Sequence, residues 1–127
     1  VTTTLVWKDA PEEHDYPAAA SYLSLLAEPD LVAATVRALQ AAPLTRYKAK
    51  DILRASALPL LPADDPHVAK DLDKIKAGHK LSPVLLVRGA LTRGFGLQVA
   101  DGYHRVCASY HLDESTDIPC RLAELPG

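Results

Sequence analysis

The sequence predicts an α+β domain: a small mixed β-sheet with packed helices, preceded by an N-terminal pair of helices. Three observations carry this. Residues 1–44 hold two apolar repeats of helical period and no run of strand type. From Thr45 onward, short apolar or alternating segments of strand length are interleaved with two further helical repeats, without the regular alternation of a parallel βαβ array. The length, 127 residues, fits one domain around a single core. Residues 1–44 are accordingly read as a helical extension and 45–127 as the core of one domain.

Taken in order, Asp15 and Pro17 introduce Ala18-Ala19-Ala20-Ser21-Tyr22-Leu23-Ser24-Leu25-Leu26, a strong helix former. Pro29-Asp30 ends that helix and caps the next, where Val32, Val36 and Leu39 repeat at i, i+4, i+7 and Pro43 closes the run. His14, among Glu12, Glu13 and Asp15 at an exposed helix start, is read as a solvated charge, with pairing to a neighbouring carboxylate or metal binding as the other readings. Trp7 anchors the N-terminal stretch. Residues 45–50 alternate at period two, which predicts a strand with Arg46, Lys48 and Lys50 on one face and Tyr47 and Ala49 on the other. Charged positions of this kind protect an edge strand.

The clearest helix signal follows a proline-rich turn at 58–62. Asp65 suits the N-cap, Pro66 the first helical position and Gly78 the C-terminal cap, with Val68, Leu72 and Ile75 as the buried stripe. The apolar run Pro83-Val84-Leu85-Leu86-Val87-Arg88 is a buried strand, residues 89–96 a hairpin-like connection, and 97–100 a second strand. A helix over 103–111 places Tyr103, Val106, Cys107 and Tyr110 on one core-facing stripe. Ile118-Pro119-Cys120-Arg121-Leu122 closes the sheet.

Composition narrows the function classes. A formal net charge of −2 disfavours broad nucleic-acid binding, which needs a large basic surface. Two isolated cysteines, Cys107 and Cys120, form neither a disulfide framework nor a metal-ligand cluster, and they read as buried core thiols. The N-terminal residues lack signal-peptide character, and no apolar run approaches the roughly twenty residues of a membrane span. A cytoplasmic protein is the expectation. His67 and His79 read as surface residues, and His111 as a helix-end residue meeting the dipole.

The informative segment is Asp101-Gly102-Tyr103-His104-Arg105, between a strand and a helix. A helix N-terminus offers unpaired N–H groups and about half a positive charge, which suits a phosphate. Arg105 adds a guanidinium able to grip phosphate bidentately, His104 a further donor, and Gly102 permits close approach to the backbone. Asp101 suits either an N-cap or a catalytic carboxylate.

With these residues in place, the chain resembles the ParB/sulfiredoxin superfamily over residues 51–122. The resemblance rests on the helix over 65–78, the Leu81-Ser82-Pro83-Val84-Leu85-Leu86-Val87 strand, the Asp-Gly-Tyr-His-Arg turn and the closing Ile-Pro strand. Its members include chromosome-partitioning CTPases, sulfiredoxins and free-serine kinases, which set this turn against nucleotide phosphates. The resemblance implies a nucleoside triphosphate, ATP or CTP with Mg²⁺, at Gly102, Tyr103, His104 and Arg105, with Lys70 and Lys74 in a supporting role. It implies Asp101 and His104 as catalytic candidates for phosphotransfer or nucleotide hydrolysis.

Departures matter as much. Tyr103 stands where sulfiredoxins carry their catalytic cysteine, which disfavours sulfinic-acid repair. Only a short tail follows Leu122 here, so a ParB DNA-binding domain, and with it centromere binding, is not expected. Asp101 matches an acidic residue of the serine kinases, without a second acid as convincing. Two other readings stay open: a non-catalytic module that senses a nucleotide or binds a protein partner or a second copy of itself, and a ParB-like nuclease or nucleic-acid binder.

Overall fold

A computed structural model describes residues 4–124. The predicted α+β class holds. The elements in chain order are helices α1 (Asp15–Leu23) and α2 (Pro29–Ala41), strand β1 (Leu44–Lys48), helices α3 (Ala49–Ser56) and α4 (Pro66–Lys76), strands β2 (Val84–Val87) and β3 (Gln98–Asp101), helix α5 (Tyr103–Leu112) and strand β4 (Asp117–Ala123). The sheet order is β1-β4-β2-β3. β4 runs antiparallel to β1 and parallel to β2, and β2 runs antiparallel to β3, so the sheet is mixed.

β2 shows why the apolar run at 84–87 is continuous rather than alternating. Successive side chains leave a strand on opposite faces. Val84 and Leu86 join one core with Ile52, Val68, Ile75, Val106 and Ile118, from α3, α4, α5 and β4. Leu85 and Val87 join a second core with Tyr16, Ala19, Leu23, Val32 and Leu39, from α1 and α2. The sheet is therefore covered on both faces, and all four residues of β2 are buried. The N-terminal helices form one of three layers and share a core with the sheet.

Local signals explain most boundaries. Asp65 caps α4 by accepting from the N–H groups of His67 at 3.0 Å and Val68 at 3.1 Å, and Pro66 follows at the first helical position. Gly78, at φ +80°, ends the helix as the cap residues predict, with the His79 N–H donating to the Lys74 carbonyl at 2.9 Å. Trp7 packs against the larger core and bridges to Leu81, as expected of an anchor.

Three expectations are corrected. The strand predicted over 45–50 ends at Lys48, because Ala49 starts a helix that buries Ala49, Ile52 and Leu53 at i, i+3, i+4. Lys50 therefore does not continue the row of Arg46 and Lys48. α1 begins at Asp15 and stops at Leu23, leaving Leu25 and Leu26 exposed beyond it. α2 is entered through Pro29 as its first residue, with Glu28 rather than Asp30 at the N-cap position.

Candidate functional site

A polar cleft of about 380 Å³ opens where β3 passes into α5. Three parts of the chain surround that turn. α5 supplies His104 and Arg105, next to Asp101 and Gly102; α4 and the residues after it supply Asp71, Lys74, His79, Lys80 and Ser82. The segment leading into α1 supplies Lys8, Glu12, His14 and Asp15. Pairing of Lys8 and Leu81 backbone groups, N–H to carbonyl at 2.8 Å, lays this segment beside the residues that follow α4.

Arg105 is the centre of the arrangement. Its Nη2 donates to Asp101 Oδ2 at 2.7 Å, and its Nη1 donates to the Ser82 carbonyl at 2.8 Å and to Ser82 Oγ. Nη1 also lies 3.8 Å from Asp15 Oδ2. Only 13% of the Arg105 side chain is exposed, so the guanidinium is already committed to the protein on several sides. The expectation of a free bidentate phosphate clamp is corrected accordingly: Arg105 ties β3, α1 and the Ser82 backbone to the first turn of α5.

Asp101 does not cap α5. Gly102 occupies the N-cap position and has no side chain to cap with, while the Asp101 carboxylate turns to Arg105. Burial pushes the Asp101 carboxyl above its ordinary value, against the pull of Arg105, and the neighbouring Asp15 adds to the push. Asp71 is likewise raised by burial, which outweighs the opposing charges of Lys74, Arg105, His104 and Lys70.

Gly102 sits at φ +110° in left-handed backbone. A Cβ there would come within 2.4 Å of Val84 Cγ1 and 2.9 Å of Arg105 Nη2. The absent side chain thus admits protein atoms, and the expected role of opening the backbone to a ligand is replaced by close packing of the turn on β2.

The other predicted site residues divide. His104 lines the cleft, its ring 4.7 Å from that of His67 and 5.6 Å from that of Tyr103. Lys74 also lines it, whereas Lys70 does not, one turn away on α4. The Tyr103 side chain leaves the cleft: its hydroxyl donates to the Pro59 carbonyl at 2.5 Å. Its backbone N–H remains in the first turn of α5. His111 binds the Leu61 carbonyl through Nε2 at 2.7 Å rather than acting on the helix end alone. Cys107 and Cys120 are buried free thiols, both raised by burial and so poorly nucleophilic.

Sequence reasoning missed Asp15 as a site residue. It is 4% exposed, its Oδ2 accepts from the Glu12 N–H at 2.9 Å, and its Oδ1 lies 3.4 Å from His14 Nε2. His14 Nε2 also lies 3.1 Å from Glu12 Oε2. Asp71, His79 and Lys80 were also missed as cleft residues, since only the packing of α4 on α5 brings them there.

Among the described residues, no group of three or more His, Cys, Asp or Glu side chains is arranged to hold a metal ion. No described helix is long and apolar enough to cross a membrane. The chain finds no match among protein-family models, curated proteins or solved structures.

Proposed function

We propose that the cleft binds the phosphates of a nucleotide, with the terminal phosphate at the N-terminus of α5, as the ParB/sulfiredoxin resemblance implies. The observation that supports this best is the uncapped start of α5 opening into a cleft walled by His104, Lys74, His79 and Lys80. First-turn N–H groups have no partner within their helix, and their partial positive charge adds to that of the lysines. His104 supplies a donor, and Lys74 and Lys80 supply charge.

On this reading Arg105 shapes the turn, and the helix N–H groups with His104 make the phosphate contact. Mg²⁺ fits such a site only with the nucleotide as co-ligand, because it is commonly held by one or two carboxylates together with substrate phosphates. The carboxylates lining the cleft are Glu12, Asp15, Asp71 and Asp101, and such ligands would come from among them; the ion would neutralise phosphate charge. Asp101 and His104 remain the candidates for proton transfer in phosphotransfer or hydrolysis, with the raised Asp101 carboxyl better suited to holding a proton than an ordinary aspartate.

Titration calorimetry with ATP, CTP, GTP and ADP, with and without Mg²⁺, tests the proposal. His104→Ala is the informative variant, because Arg105→Ala would leave two buried carboxylates without their counter-ion and damage the fold. Loss of one charge-assisted contact lowers affinity about tenfold. Affinity unchanged in His104→Ala, or no nucleotide bound, argues against the site. Product analysis with ATP and free amino acids separates a kinase from a sensor.

A second reading, a surface for a protein partner, is favoured by one feature. Leu91 and Phe95 are 96% and 66% exposed beside an apolar cleft of about 370 Å³ lined by Ile52, Leu86, Leu97 and Leu122. Solvent exposure of that kind is characteristic of contact surfaces when the residues cluster.

A further inference from the structure

The phosphate reading leaves one charge unaccounted for. The Arg105 guanidinium faces two carboxylates, Asp101 Oδ2 at 2.7 Å and Asp15 Oδ2 at 3.8 Å, and both acids line the proposed site. When both are ionised, this group carries one negative charge more than Arg105 neutralises, beside the place where an anion is to bind. Such a surplus repels a phosphate.

We propose that Asp15 is a built-in competitor at this site: in the absence of ligand its carboxylate stands beside Arg105 in the cleft, and a phosphate bound at the start of α5 repels it and loosens the first turn of α1. This rests on the phosphate reading of the cleft.

Geometry decides which carboxylate yields. Asp101 is locked to Arg105 at i, i+4 across the turn itself, by a direct hydrogen bond. Asp15 belongs to a different element, is its first residue, and stands beyond hydrogen-bond distance of the guanidinium. It is also 4% exposed, with the Glu12 N–H as its close donor and the mostly exposed His14 ring 3.4 Å from its Oδ1. Asp101 is hydrogen-bonded to the guanidinium and Asp15 is not, so Asp15 is the acid more readily released to water.

The test compares wild type with Asp15→Asn, which removes the charge and keeps the shape and the acceptor for Glu12 N–H. Calorimetric titration with ATP and with CTP, each with Mg²⁺, is expected to show the variant binding at least tenfold more tightly, or binding where wild type is undetectable. Hydrogen–deuterium exchange across Asp15–Leu23 is expected to quicken when wild type is saturated, and not in the variant. Equal or weaker binding by Asp15→Asn, with wild type still binding, overturns the competitor role and leaves the phosphate site standing. No binding by either protein to either nucleotide overturns the phosphate reading and the competitor with it. Should circular dichroism show that Asp15→Asn does not fold, exchange in wild type decides: unchanged or slower exchange of α1 on saturation overturns the proposal.

Discussion

At the scale of single residues, the turn between β3 and α5 is governed by packing and charge that have little to do with its motif-like appearance. Gly102 is required twice over, by a left-handed φ of +110° and by Val84 Cγ1 at 2.4 Å from where a Cβ would stand. Gly102→Ala is expected to lower unfolding stability by about 2–4 kcal/mol, combining backbone strain with overpacking, as measured by urea denaturation. A change under 0.5 kcal/mol would show that β2 yields more easily than its burial suggests.

Asp71 offers a pH test. Its carboxyl is raised above the ordinary value of 3.8 by burial, so the folded state holds that proton to higher pH than the unfolded chain. Between the two values the folded state binds more protons, and stability falls as pH rises through the folded-state value. Ionised Asp71 is therefore destabilising near neutrality. Asp71→Asn should raise Tm at pH 7, with the advantage shrinking as pH falls and vanishing below 3.8. A Tm that drops at pH 7 would mean that attraction to Lys74, Arg105 and His104 outweighs desolvation.

At the scale of elements, legibility followed the range of the signal. α4 was readable from end to end because Asp65, Pro66 and Gly78 act on backbone groups within a few residues of themselves. β2 was readable because a strand buried on both faces has no polar position to interrupt it. α3 was missed because Tyr47 and Ala49 satisfy a period of two just where the chain turns helical, and Ala49, Ile52 and Leu53 show their helical spacing only once the strand is stopped at Lys48.

The end of α3 carries a prediction of its own. Ala57 is an alanine at φ 56°, exposed, in a left-handed position that glycine occupies without penalty. Ala57→Gly should stabilise the protein by about 0.5–1 kcal/mol in chemical denaturation, opposite in sign to an ordinary Ala-to-Gly change in a helix. Destabilisation instead would place Ala57 outside the left-handed region.

At the scale of the whole molecule, the N-terminal helices pack on the sheet and complete one of its cores. Tyr16, Leu23 and Leu39 share a core with Leu85, Val87 and Ala100, so one face of the sheet is closed by residues that the sequence set apart as an extension. That layer also brings Asp15 to Arg105 from the opposite end of the chain. No local pattern reports such a contact: Asp15 in sequence is simply an acidic residue at a helix start. The half of the site on the α5 turn was legible, because strand, glycine, histidine and arginine are contiguous. The half contributed by α4 and α1 depended on tertiary packing. The free arginine inferred from residue type was not there, since a buried guanidinium takes the partners that the fold offers.

The phosphate proposed at the start of α5 is checked by amide ¹H–¹⁵N spectra of the wild-type protein titrated with ATP and Mg²⁺. The largest shifts are expected on Tyr103, His104 and Arg105, with smaller ones at Lys74 and Lys80. Shifts confined to Ile52, Leu91 and Phe95 around the apolar cleft, or no shifts at all, would contradict this proposal.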